Sequence, residues 1–514
     1  MHGVTDVFGI PGVHNIEVYR GLAAAGITHT LARHEQGVGY MADGYARATG
    51  RPGVGLVISG PGVTNIMTPM GQAYSDRVPL LIISSCLDET EARKGQLHQM
   101  RDQCAAAEAV SAWSAEATTA HAALQLIDRA FADFSLGLMR PVHIQIPISV
   151  LVGPGVEMPA PPRHLNLAPC APDLTEVLDL LSQAKRPLFI FGAGAASGAA
   201  WAGSVVDQTG AACFTTYAGR GVIAAGHPAL LGATLARPGA AQTIASADLV
   251  LAVGTELAQV DLWRDDLGHV APLIRIDTDP SVLGDGQPNQ TGILCDAALF
   301  LQRLSAALAE RTMPPAEGWT RAEIAATRRR WHAELDAERP ALVPIVEAVK
   351  AALPSRALIY SDMTQLAYLA KEIWDMPRPG LWHHPCGFGT LGYALPAAIG
   401  ARVARPHDLV AAIAGDYGFQ YTLQELGTLA ELQGPMPIIL WDNDGLKEIE
   451  DYMVQAQIPP MAVHARNPDF AQLARAYGLH YSKPAALNEI APALARACGA
   501  DKATIIHLTP DLVR

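Results

Sequence analysis

The chain has 514 residues, 50% of them hydrophobic and 17% charged, with a net charge of −13. That length exceeds what one core can organise and implies about two to four domains with a large buried interior. The acidic balance, with no basic cluster interleaved with aromatics, excludes nucleic acid as a partner. No apolar run approaches the ~20 residues of a membrane helix, and seven scattered cysteines without a CxxC pair suggest neither a disulfide framework nor a zinc site.

From residue 1 to 150, β-rich runs at 4–10, 27–31, 53–59, 80–85 and 141–146 alternate with helical stretches, which predicts a doubly wound parallel sheet. The amino terminus has no signal-peptide layout and enters its first strand almost at once. With the cysteine pattern, this predicts a cytoplasmic protein. The loops Pro11-Gly12-Val13-His14, residues 60–65 and Ser75-Asp76 are candidate pocket walls. Glu35, in Arg33-His34-Glu35-Gln36-Gly37, stands where an extended run meets a helix start. An acid there either favours the helix dipole or does chemistry. The Pro-rich segment 151–172 is a linker, and a second α/β pattern follows over 173–312, with strands at 187–192, 212–216, 249–253 and 273–277. Its Gly192–Gly198 turn approaches a dinucleotide fingerprint but has Ser197 in the third glycine's place, so scaffold is the preferred reading. A charged linker over 313–340 carries a helix at 321–338, and a third α/β unit fills 341–514.

The chemistry concentrates between 408 and 449. An apolar strand at 409–414 ends in Gly415-Asp416-Tyr417-Gly418, an amphipathic helix is predicted over 419–432, and a second strand at 437–441 ends in Asp442-Asn443-Asp444-Gly445. Both turns then lie at the carboxyl ends of neighbouring parallel strands, where open α/β sheets bind ligands. Asp416, the Asn443 amide oxygen and the Gly445 carbonyl supply three oxygens, which with phosphate oxygens and water describe an octahedral Mg²⁺ site holding a diphosphate. A helix beginning near Gly418 would aim N–H groups at the same anion. The plain alternative is a capped helix and an ordinary turn.

GD-(x)26-N between two apolar strands, with RHEQGVGYMADGYAR upstream and CGFGTLGYALPAA before it, resembles the thiamine-diphosphate enzymes of the acetolactate-synthase and 2-oxo-acid-decarboxylase group. The resemblance covers the whole chain. It implies three doubly wound α/β domains: pyrimidine-binding (1–150), central Rossmann-like (173–312) and diphosphate-binding (341–514). It implies thiamine diphosphate and Mg²⁺ as cofactors, with FAD not expected in the central domain. By matching position, Asp416, Asn443 and Gly445 hold the metal, and Tyr417 and Gly418 lie against the cofactor. Gly389 accepts from the 4′-amino group, and Leu391 wedges the two rings apart. Glu35 would hydrogen-bond the aminopyrimidine N1′ and promote the imino tautomer that gives the C2 ylid. His98 and Gln99 fall where the family handles substrate.

Two positions depart from the family pattern: Tyr417 stands for a glycine and Asp442 for an asparagine. A tyrosine is costly if that turn needs φ > 0. The runs FGIPGVHNIEVYRGL, HEQGVGYMADGYARATG and GPGVTNIMTPMGQAYSDRVPLLIISS most resemble 5-guanidino-2-oxopentanoate decarboxylases. The expected activity is therefore ylid addition to that 2-oxo acid, loss of CO₂ and protonation of the enamine. Glu448 is the candidate for that protonation or for pairing with the guanidinium, while Lys447 offers a cation that could instead read a carboxylate. An acetolactate-synthase-like carboligase shares every motif, and a catalytically idle cofactor-binding paralogue draws support from Tyr417. The family pattern also implies a homodimer or homotetramer, with Glu35 and Asp416 of one site on different chains.

Overall fold

The structure is a computed structural model describing residues 2–89, 94–156, 172–311 and 318–513. It contains three six-stranded sheets. β1 (Asp6–Gly9), β2 (Thr28–Leu31), β3 (Gly53–Val57), β4 (Leu80–Cys86), β5 (Trp113–Glu116) and β6 (Val142–Pro147) lie in the order β2-β1-β3-β4-β6-β5. β7 (Pro187–Phe191), β8 (Ala212–Thr215), β9 (Leu230–Gly232), β10 (Leu249–Val253), β11 (Leu273–Asp277) and β12 (Gln290–Leu294) lie in the order β12-β11-β10-β7-β8-β9. The third sheet, β14-β13-β15-β16-β18-β17, uses β13 (Leu358–Ser361), β14 (Trp382–His383), β15 (Val410–Gly415), β16 (Pro437–Trp441), β17 (His480–Ser482) and β18 (Thr504–Leu508). All pairings between these strands are parallel. The central strands are apolar and buried throughout, as parallel sheets covered on both faces require.

β10, β11 and β16 coincide with the predicted runs. β5, β9 and β12 carry no apolar run that marks them: β9 has three residues, and β5 (WSAE) and β12 (QTGIL) are edge strands with polar residues. The helix over 321–338 is present, capped by Thr320 accepting from the Glu323 N–H. Most of the predicted linker 151–172 lies outside the described residues, and Ile148–Val152 at its start is helical.

The single helix expected over 419–432 is instead three pieces: Asp416–Tyr421, a 3₁₀ turn at Leu423–Glu425, and Leu426–Ala430. Tertiary contacts override the helical period here. Thr422 donates its hydroxyl to the Gly392 carbonyl at 2.8 Å. The buried Glu425 carboxylate accepts from the backbone N–H groups of Arg33 (3.1 Å) and His34 (3.0 Å) in the first domain.

The first and third domains share one hydrophobic core, joined where the Glu35–Thr49 helix crosses the Ala394–Ala404 helix. A methyl group on Gly44 would overlap the Ala397 carbonyl, and one on Gly400 would overlap that of Met41. The crossing therefore brings backbone against backbone. Tyr360 donates to the Gly44 carbonyl at 2.9 Å, and Tyr393 to Asp43 at 2.6 Å. Among the described residues no helix is long and apolar enough to cross a membrane.

Gly400→Ala should therefore destabilise the protein by about 1–3 kcal/mol, the usual range for overpacking, seen as a lower thermal unfolding midpoint. Gly21→Ala, in open space on the Ile16–Ala24 helix, should leave that midpoint unchanged or slightly raised.

Candidate active site

β13 and β15 are neighbours whose following loops run to opposite sides of the third sheet, one toward β14 and the other toward β16. At this switch point a cavity of about 540 Å³ opens, within the usual size range of ligand sites. Gly389, Leu391, Asp416, Tyr417, Gly418, Asn443, Gly445 and Glu448 all line it, so eight of the predicted site residues converge.

Asp416 follows β15 directly and is 2% exposed. Its Oδ2 accepts from Asn467 Nδ2 at 2.7 Å, and the same amide donates to Asp442 Oδ1 at 2.8 Å. Burial, opposed by the Asn467 bond and reinforced by the Asp442 charge, pushes the Asp416 carboxyl pKa up. Burial is the largest effect on Asp442 and raises its pKa, but the hydrogen bonds from His507 Nε2 (2.8 Å from Oδ2), the Asp444 N–H and Asn467, with the His507 charge, together lower it. Tyr481 meets the far nitrogen of His507 at 2.8 Å. Asn443 donates Nδ2 to Gln365 Oε1 at 3.1 Å, and among the described residues its carbonyl oxygen receives no hydrogen bond. Gly445 adopts φ 146°, a conformation open to glycine, where its backbone bridges His464.

Among the described residues no group of three or more His, Cys, Asp or Glu side chains forms a metal site. One carboxylate with amide and carbonyl oxygens is a hard, incomplete donor set, suited to a Mg²⁺ that takes its remaining ligands from phosphate and water. The donors present therefore fit the metal-diphosphate pair.

The opposite wall is the loop Gly389–Gly392. Asp362, 1% exposed, accepts from the N–H groups of Met363 (2.8 Å) and Gly392 (2.9 Å) and so ties the end of β13 to this loop. Gly389 and Gly392 take φ values of 66° and 85°. A methyl on Gly418 would sit 3.4 Å from Leu391 Cδ2, which leaves Leu391 packed over the metal turn.

Tyr417 lies in the first turn of Asp416–Tyr421 and does not have positive φ. The helix starts three residues earlier than the predicted 419, and the departure from glycine carries no backbone strain. Its ring packs against Tyr421, with centroids 5.7 Å apart.

Glu448 faces the cavity but is already paired. Oε1 takes a hydrogen bond from Arg339 Nη2 at 2.9 Å, and Oε2 takes one from Gln365 Nε2 at 3.2 Å. Gln365 thus links the metal-loop Asn443 to Glu448. Lys447 lines the cavity, and its ammonium is paired with Asp451 (2.7 Å) and Glu450 (3.2 Å) on its own helix.

Glu35, His98 and Gln99 are not in this cavity. Glu35 starts its helix at the end of β2, with Oε2 accepting from Asn65 at 2.9 Å. His98, at φ 63°, meets His14 edge-on at 5.1 Å, and His14 bonds Ser59 at 2.7 Å. Gln99 accepts from the Gln96 N–H at 3.2 Å. These residues form a second polar cluster at the carboxyl ends of the first sheet. Asp76 is no pocket wall: it pairs with Arg47 at 2.8 Å and accepts from the Gly387 N–H at 2.8 Å, bracing the domain junction.

Sequence reasoning misses Asn467, Gln365, Arg339 and the wall residues Tyr217 and Lys371. Gln365 carries a weak signal, because Asp362-Met363-Thr364-Gln365 joins an apolar strand to a helix. The others sit in no local pattern.

Three family descriptions match along the chain. Residues 1–106 match the thiamine pyrophosphate enzyme N-terminal TPP binding domain, 174–304 its central domain, and 362–508 its C-terminal TPP binding domain. A probable 2-ketoarginine decarboxylase of Pseudomonas aeruginosa is 43% identical, over 99% of this chain and 91% of that protein. An acetolactate synthase of Arthrospira platensis is 30% identical, over 93% of this chain and 86% of its own. The Escherichia coli acetolactate synthase isozyme 3 large subunit is 29% identical with the same coverage. With its three sheets matched in order, the chain belongs to the thiamine pyrophosphate enzyme family, as a decarboxylase or carboligase.

Proposed function

We propose that the protein is a Mg²⁺-dependent decarboxylase of 5-guanidino-2-oxopentanoate, working in the cytoplasm as a homo-oligomer with each active site shared between two chains. The observation that carries this reading is Glu448: a carboxylate in the wall of the cofactor cavity, already accepting a guanidinium N–H at 2.9 Å. Similarity to a probable 2-ketoarginine decarboxylase supports the same substrate. The identity to acetolactate synthases is lower, and coupling to a second 2-oxo acid is the second reading. The described cysteines are free thiols, which supports a reducing compartment.

Asp416, Asn443 and the Gly445 carbonyl would hold Mg²⁺ and, through it, the diphosphate. Gly389 and Leu391 would hold the two rings. When bound, thiamine diphosphate supplies the nucleophilic carbon for the 2-oxo carbonyl and the sink for the electrons that CO₂ leaves behind. Glu35, held by Asn65, would offer its carboxyl to the aminopyrimidine nitrogen. Glu448 accepts the substrate guanidinium, in competition with Arg339, through charge-assisted hydrogen bonds.

Sharing between chains is supported by the separation of Glu35 from its own chain's cavity. It is also supported by the Lys447–Gln455 helix, which buries none of its residues and exposes Ile449, Tyr452 and Val454. Such an apolar face marks a contact surface.

CO₂ release from a panel of 2-oxo acids should rank 5-guanidino-2-oxopentanoate first and require both cofactors. A preference for pyruvate with acetolactate as product would favour the second reading. Glu448→Gln should raise KM for the guanidino acid about 10- to 100-fold, the loss expected of a hydrogen bond to a charged group, and change KM for pyruvate-like acids little.

Glu35→Gln and Asp416→Asn should each abolish turnover. Mixing and re-associating the two inactive variants should restore roughly 25% of wild-type activity, because half the dimers are mixed and each mixed dimer has one intact site. No recovery would place Glu35 and Asp416 of one site on the same chain.

A further inference from the structure

Part of the cavity wall belongs to none of the groups above. Tyr217 of the central domain and Lys371, His384 and Cys386 of the third line it together. Lys371 is 8% exposed and His384 4%. The Lys371 ammonium lies 3.8 Å from the centre of the Tyr217 ring and 5.3 Å from that of Tyr368, and among the described residues it makes no hydrogen bond or ion pair.

His384 follows β14, with Nδ1 2.9 Å from the Ser361 hydroxyl and Nε2 buried without a partner. Ser361 already accepts from Trp382 Nε1 at 2.9 Å, and its contact to the His383 carbonyl is longer, at 3.3 Å. In the tautomer where Nδ1 takes the hydroxyl proton, Nε2 is the donor. Behind them Arg220 donates Nε to the Tyr217 carbonyl at 2.9 Å and lies over the Trp382 ring at 4.6 Å, while both Nη atoms lack an acceptor.

Two acids, Glu372 and Asp261, act on Lys371 through their charge, but neither hydrogen-bonds to it. Glu372 accepts from the Tyr217 hydroxyl at 3.1 Å and faces Arg237 at 3.6 Å. Asp261 accepts from the Tyr217 N–H at 3.1 Å, and burial pushes its pKa up to about 6. Burial pushes the Cys386 thiol up to about 12, so it brings no charge. Lys371 and His384 thus share one wall with Arg220 behind it, and polar atoms of His384 and Arg220 are buried there unmet; a buried donor left unmet costs about 1–3 kcal/mol.

We infer that Lys371 and His384, backed by Arg220, form a subsite for a small oxyanion of carboxylate size, opening on the active-site cavity apart from the metal ligands. A carboxylate there accepts from Lys371 Nζ and His384 Nε2 and supplies the counter-charge that Arg220 lacks. The subsite stands whichever 2-oxo acid is the substrate. Its occupant is either the substrate's own carboxylate or a separate small anion such as bicarbonate.

The test is calorimetric titration of wild-type protein, with and without thiamine diphosphate and Mg²⁺, with acetate and bicarbonate at fixed ionic strength. Saturable binding is expected, about tenfold weaker in Lys371→Met and retained in Lys371→Arg. Competitive inhibition by acetate, with a higher KM and a little-changed kcat in Lys371→Met, identifies the substrate carboxylate as occupant. Acetate binding alongside substrate identifies a separate anion. No saturable binding to wild type, or equal affinity in Lys371→Met, overturns the subsite. If Lys371→Met does not fold, anomalous scattering from selenate soaked into wild-type crystals decides whether the subsite exists: selenium beside Lys371 supports it, and selenium only elsewhere or none overturns it. Thiamine diphosphate binding is measured on the same samples, so loss of the subsite is distinguishable from failure of the proposed function.

Discussion

The backbone contact between the Glu35–Thr49 and Ala394–Ala404 helices governs the placement of everything else. Gly44 and Gly400 let the two helices meet at their carbonyls, and one continuous core then runs from Phe8 in the first domain to Ile505 in the third. The seam is also polar: Arg47 pairs with Asp43 at 2.7 Å and Asp76 at 2.8 Å, and Tyr393 closes on Asp43. A buried network of this kind is costly to break, because each loss strands a charge. Glu35 begins one of the two crossing helices, and Glu425 of the third domain grips the turn just before it. Its position is set by the junction rather than by the cavity it is expected to serve.

The first and third sheets repeat one strand order but offer different chemistry at their carboxyl ends. After β2 stands an acid held by Asn65; after β15 and β16 stand oxygens for a cation. The aspartate at 442 places a second negative charge beside Asp416. The fold answers it locally, with Asn467 bridging both carboxylates and His507 and Tyr481 backing Asp442. The departure from asparagine at 442 is accommodated by residues 25 to 65 positions farther along the chain.

What can be read from sequence follows from this. Strands β10 and β16 are legible because a strand buried on both faces is an uninterrupted apolar run, and β11 is legible although Arg275 interrupts its run. The stretch 419–432 misleads because its period is helical while Thr422 and Glu425 are bound to Gly392 and to the first domain. Residues such as Asn467, Arg339 and Lys371 cannot be found locally, since each acts on partners tens to hundreds of positions away.

Charge illustrates the same limit. Lys447 looks like a ligand-reading cation in sequence, yet its own helix supplies acids at i+3 and i+4 that neutralise it. Other cations of the cavity wall come from farther away: Arg339 from the linker helix's end and Lys371 from the helix after β13. The cofactor end of the cavity is thus built from loops of one sheet, while the remaining wall draws on the linker and on Tyr217 of the central domain. Substitutions in that wall can alter which 2-oxo acid is accepted without disturbing Asp416 or Asn443. This division of labour is why the motif reports the cofactor so clearly and says so little about the substrate.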